Sequence, residues 1–109
     1  MTKKRTYKDR IKGVEWTFIL LPKASYVRGH GNDSDATTYP YDKEVFFNSD
    51  RLGPGVVRHE VFHVFIASSG TNSASLTADQ MEEVACELYE QHGPEMDWLV
   101  DKIMEAFLK

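Results

Sequence analysis

At 109 residues, this chain has room for one domain with a real core and too little for two. Hydrophobic content of 41% and charged content of 28% are ordinary for a soluble globular protein, and no run of 18 apolar residues offers a membrane span. A formal net charge of −4 argues against general nucleic-acid binding, and a single cysteine, Cys86, can form no internal disulfide, which fits a cytoplasmic protein.

The charge is unevenly spread. Residues 1–12 carry six basic side chains (Lys3, Lys4, Arg5, Lys8, Arg10, Lys12) against Asp9, and no apolar stretch follows to make a secretory signal. They read as a solvated, partly disordered basic arm ahead of one domain at 13–109, with contact to nucleic acid or an acidic partner as the weaker reading. Residues 14–21, rich in β-branched and aromatic side chains and stopped by Pro22, read as a strand. Gly29, Gly31, Asn32 and Asp33 mark residues 27–33 as a turn. Two short strands at 36–41 and 43–48 then form a hairpin, giving a small antiparallel sheet of about three strands.

Ser49 or Asp50 caps a helix whose first turn tolerates Pro54. Residues 56–67 are apolar nearly all round, so this helix is buried on most faces. Gly70 supplies its stop, and residues 71–75 are a polar loop. Thr77 and Gln80 form a capping box, with Leu76 and Met81 flanking it as a hydrophobic staple. The helix that follows buries Met81, Val84, Ala85 and Leu88. Gly93 and Pro94 end it and open a third, whose stripe is Met96, Leu99, Val100, Ile103, Met104 and Phe107. The fold class is α+β: a small N-terminal sheet packed on three C-terminal helices.

Inside the first of these helices, His59, Glu60 and His63 make an H-E-x-x-H motif. Residues four apart share a helix face, so the two histidines can hold one metal ion through ring nitrogens about 2.0–2.1 Å from it. Glu60 can take a proton from a water on that ion. Three polar groups buried in so apolar a helix cost several kcal/mol unless something satisfies them, which Zn2+ would do. A catalytic zinc also needs a third protein ligand. The metzincin extension fails, since Ile66 and Ser69 stand where its glycine and histidine would be. The acidic helix after Thr77 offers Glu82, Glu83 and Glu87. At 100° per residue Glu82 lies roughly 90° from the centre of the buried stripe, whereas Glu83 is nearly opposite and Glu87 well round the other side. Glu82 is therefore the expected third ligand, with Glu83 as the competitor. Cys86, about 140° from Met81, points away and reads as inert.

The H-E-x-x-H helix, followed by Glu82, Glu83, Val84, Ala85, Cys86, Glu87 and Leu88, resembles the ImmA/IrrE-type metallopeptidases, especially small forms from phages and mobile elements. The resemblance covers about residues 43–92. It implies a minimal zincin-like domain whose third zinc ligand is a glutamate a few residues ahead of a small, tightly packed position, here Glu82 before Ala85 and Cys86. It also implies regulatory protein substrates such as repressors. The Leu-Met-Pro segment of larger relatives is absent. Two functions follow. One is a zinc metallopeptidase cutting a specific protein or peptide, with Glu60 as general base. The other is a non-catalytic zinc-binding module whose acidic helices bind a partner protein. Glu60 favours the enzyme, because a structural site has no use for a carboxylate there. Tyr39, Tyr41, His30 and Arg58 are candidates to stabilise an oxyanion, and residues 43–48 a candidate edge strand for an extended peptide.

Overall fold

A computed structural model describes residues 4–31, 34–68 and 76–108. The fold is α+β, a four-stranded mixed sheet with three helices, in the order β1 (Arg5–Ile11), β2 (Val14–Leu21), α1 (Lys23–His30), β3 (Ala36–Tyr39), β4 (Glu44–Asn48), α2 (Pro54–Ser68) and α3 (Ala78–Leu108). The strands lie in the order β1-β2-β4-β3. Among the described residues no helix is long and apolar enough to cross a membrane.

The basic segment is where the sheet departs first from expectation. Arg5–Ile11 is not a disordered arm but an edge strand, antiparallel to β2 with Ile11 opposite Val14. Lys12 and Gly13 join the two with φ of 52° and 81°, the double positive φ of a tight two-residue hairpin turn. The strand's inward positions are Tyr7, which packs on the core, and Ile11, which is buried. The alternating positions Thr6, Lys8 and Arg10 are exposed, and the two cations among them protect the edge.

The second difference is direction. β3 and β4 are the antiparallel hairpin expected, but β4 runs parallel to β2, pairing Phe18 with Val45 and Leu20 with Phe47. A parallel pair needs a long crossover, and residues 22–43 supply it. That crossover contains α1, where a turn was expected: Pro22 stands at its N-cap, Gly31 ends it at φ 81°, and Tyr26 is its buried residue. β4 is consequently an inner strand, and the edge expected at residues 43–48 is formed by β3 instead.

Alternation gives the sheet two unlike faces. Trp16, Phe18, Leu20, Val45 and Phe47 join α2 and α3 in the main core. The opposite face carries α1. There the Tyr26 hydroxyl bonds Ser34 and Thr37, and the His30 ring lies against those of Tyr26, Tyr39 and Phe46.

α2 begins at Pro54, after a short 3-10 turn at Ser49–Arg51 for which Asn48 is the cap, accepting from the Asp50 amide at 3.0 Å. The expected cap at Ser49 or Asp50 is therefore one element early. Gly70 and the 71–75 loop lie outside the described residues. The capping box is present in full: Gln80 N–H donates to Thr77 Oγ1 at 3.1 Å and Thr77 N–H to Gln80 Oε1 at 2.9 Å. The helix it starts does not end at Gly93 but runs through Pro94 to Leu108. A proline inside a helix costs about 3 kcal/mol. Burial of Met96, Leu99, Val100, Ile103 and Phe107, each worth about 1.5–3 kcal/mol, outweighs it by holding the helix on the core on both sides of the break.

Candidate metal centre

The apolar character of α2 sets where its polar residues stand. Val57, Val61, Val64, Phe65 and Ile66 are wholly or almost wholly buried, which anchors the helix against sheet and α3 and leaves one strip facing outward. His59 and His63 lie on that strip one turn apart, with Nε2 atoms 3.2 Å from each other. Glu60 lies inward of the pair: its side chain is 8% exposed against 71% for His59. Ligand atoms of the three residues all lie within 4.8 Å of one another, and they are the one such group among the described residues.

The geometry suits a zinc ion. Two nitrogens bound at about 2.0–2.1 Å with a tetrahedral angle between them stand about 3.3 Å apart, close to the separation found. Glu60 Oε2 is 3.8 Å from His59 Nε2, further than two donors on one such ion, and so suits a base beside the metal rather than a ligand. Burial lowers the pKa of His63; the Glu60 carboxylate opposes that shift, and His59 adds to it. A neutral imidazole is the form that binds metal.

Glu60 is fixed from the sheet. Thr38 Oγ1 on β3 donates to Glu60 Oε1 at 2.8 Å, the one side-chain hydrogen bond this carboxylate accepts among the described residues. Thr38 is not among the residues expected at the site. Its signal was available in the alternation of β3, which puts a hydroxyl on the sheet's inner face, where a polar group needs a partner. Beside the triad, Ser34, Asp35, Ala36, Gly55 and Val56 line a cleft of about 350 Å³ that reaches His59 and Glu60.

Glu82 is not brought into this group. It is exposed, on the first turns of α3, and lines a shallow apolar depression with Phe62, Ala85, Cys86, Tyr89 and Glu90. The cause is helix register. Arg58 pairs with Asp97 at 3.8 Å, the Phe65 ring lies 6.0 Å from that of His92, and the Phe62 ring lies 6.4 Å from that of Tyr89, so the turns of α2 around the histidines meet α3 at residues 89–97. Glu82 precedes His92 by ten residues, about 15 Å along the helix axis. Glu83 and Glu87 line a separate depression formed by α3 alone, together with Asp79, Glu82 and Cys86. Cys86 is an exposed free thiol.

The oxyanion candidates are likewise dispersed. His30 Nδ1 bonds the Tyr39 hydroxyl at 2.7 Å on the α1 face of the sheet, opposite to the face that Thr38 presents to Glu60. Tyr41 is 95% exposed in the β3–β4 turn, and Arg58 is engaged with Asp97.

Comparison with protein-family models, with curated proteins and with solved structures gives no match for this chain.

Proposed function

We propose that this chain is a zinc-dependent metallopeptidase of the ImmA/IrrE type, acting in the cytoplasm on a specific protein target. One observation carries the reading: two imidazole Nε2 atoms 3.2 Å apart, with a buried carboxylate oxygen 3.8 Å from one of them. A site that merely tied helices together would gain nothing from desolvating that carboxylate beside the pair.

His59 and His63 would hold the metal. Glu82 is the proposed third donor, as the helical wheel and the resemblance select it. It shares a depression with Phe62 of α2, which Glu83 and Glu87 do not, and would have to swing from there towards the histidines to bind. When bound, zinc would polarise the scissile carbonyl and bring the pKa of its water towards 7. Glu60 takes the proton of the attacking water on Oε2 and later hands it to the leaving amine, while Oε1 stays bonded to Thr38. The outer edge of β3 is the strand beside the cleft on which an extended peptide can pair through its backbone.

Two measurements test this. Elemental analysis of the purified protein should find one zinc per chain. A proteome-derived peptide library, digested and read by mass spectrometry, should show cleavage by the wild-type protein and a loss of about 10²- to 10⁴-fold in Glu60→Gln with zinc retained. Zinc without cleavage would instead leave the non-catalytic binding module.

A further inference from the structure

We infer that Thr38 is a positioning residue for Glu60, coupling the edge strand of the sheet to the base of the reaction; this rests on the peptidase reading above. A carboxylate on a side chain with three rotatable bonds can turn either oxygen, or neither, towards the histidines. In this fold the choice is made by β3. The Thr38 hydroxyl takes Oε1 at 2.8 Å, and Oε2 is thereby the oxygen left facing His59, at 3.8 Å. Threonine suits the task because its β-branch restricts χ1, so the hydroxyl direction follows from the strand backbone. That backbone is itself held, by pairing of Thr38 with Val45 in the inner strand β4.

The consequence is specific. The Thr38 hydroxyl bonds Glu60 and neither histidine, and a peptide paired on β3 would use the backbone of the strand, so loss of the hydroxyl should leave metal uptake and peptide affinity alone. It should weaken the chemical step, because the base loses its orientation and misplacement by about 1 Å costs about 10²-fold. Serine keeps the hydroxyl but loses the β-branch that restricts χ1, so it should recover most of the rate rather than all of it.

The test compares Thr38→Val and Thr38→Ser with the wild-type protein, using the library peptide that the wild type cuts fastest. Zinc content, zinc affinity against a competing chelator, thermal midpoint, kcat and KM are measured for each. Thr38→Val should keep one zinc, with chelator competition and KM within about twofold of wild type, and lose about 10- to 100-fold in kcat. Thr38→Ser should recover kcat to within about threefold. An unchanged kcat in Thr38→Val overturns the inference, as does loss of zinc in step with activity, or a serine variant no better than valine. If the wild-type protein holds no zinc or cuts no peptide, the peptidase reading itself fails and the inference falls with it. Those outcomes are separate, because the first set is read against an active wild type.

Discussion

His59 and His63 present their Nε2 atoms to each other across 3.2 Å, one turn apart on α2, with His63 the more enclosed of the two. Burial holds the His63 imidazole below the ordinary histidine pKa of 6.5, so protons compete less for that nitrogen near neutrality. Removing either ring should abolish stoichiometric zinc. Elemental analysis of His59→Ala and His63→Ala is expected to find well under one zinc per chain, and retention of a full equivalent by either would place the metal elsewhere.

Glu82 stands apart from the histidines, because α3 packs against α2 through Tyr89, His92 and Asp97 while Glu82 lies ten residues earlier than His92. If Glu82 donates, Glu82→Ala should lower zinc affinity by at least about tenfold in chelator competition, and Glu83→Ala should change it by less than twofold. The threshold is the lower end of what even an outer-sphere partner contributes. Glu90 shares the depression with Glu82 and Phe62, so Glu90→Ala is the natural control. A larger effect there than at Glu82 would move the assignment by two turns of helix.

Gly55 tests the cleft. It lies in the first turn of α2, lines the space beside His59 and Glu60, and a Cβ built on it meets nothing within 4 Å. Gly55→Leu should therefore fold, helped by the better helix propensity of leucine. Its side chain would occupy part of a cleft of about 350 Å³. Zinc content should be unchanged and KM should rise several-fold. An unaltered KM would show that substrate does not enter between β3 and α2.

What could be read from the chain was what is encoded locally. His59 and His63 reveal themselves by a spacing of four inside an apolar run, and Thr77 with Gln80 by a spacing of three at a helix start. Both spacings are geometric properties of a single helix. The failures are all cases where a distant partner decides. Arg5–Ile11 looks like a solvated arm until β2 pairs with it, and Gly93-Pro94 looks like a stop until a continuous buried stripe holds the helix across it. Alternation along β3 places the Thr38 hydroxyl on the inner face of the sheet but does not say that the group it meets there is Glu60, 22 positions away in sequence. Glu82 shows the limit of a helical wheel, which orients a side chain about its own axis but cannot say which turn of the neighbouring helix it will face.

Pro94 offers a gain in stability away from the metal site. It is exposed and lies inside α3, where it removes one backbone hydrogen bond. Pro94→Ala should stabilise by about 1–3 kcal/mol, the part of the proline penalty that relaxation of the helix has not already recovered. That corresponds to a rise in Tm of about 5–20 °C for a domain of this size, measurable by circular dichroism. Gly93 should not be changed with it, because a Cβ there would stand 3.3 Å from the Tyr89 ring and disturb the Tyr89–Asp97 hydrogen bond.

His30 predicts how stability responds to acid. Burial on the α1 face lowers its pKa below the ordinary 6.5, and the neutral ring is hydrogen-bonded to Tyr39. Below about pH 6.5 the unfolded chain binds a proton at this position that the folded protein resists, so ∂ΔG/∂pH is positive there. Stability falls as pH drops from about 6.5 to the lowered folded pKa and levels off below it. His63 acts in the same direction, and so removal of His30 alone flattens only part of the slope. Urea midpoints of wild type and His30→Gln, taken at half-unit steps from pH 7.5 to 4.5, should converge as the pH falls, because the glutamine variant lacks the proton uptake. Parallel curves would mean that His30 protonates as readily in the folded protein as in the unfolded chain.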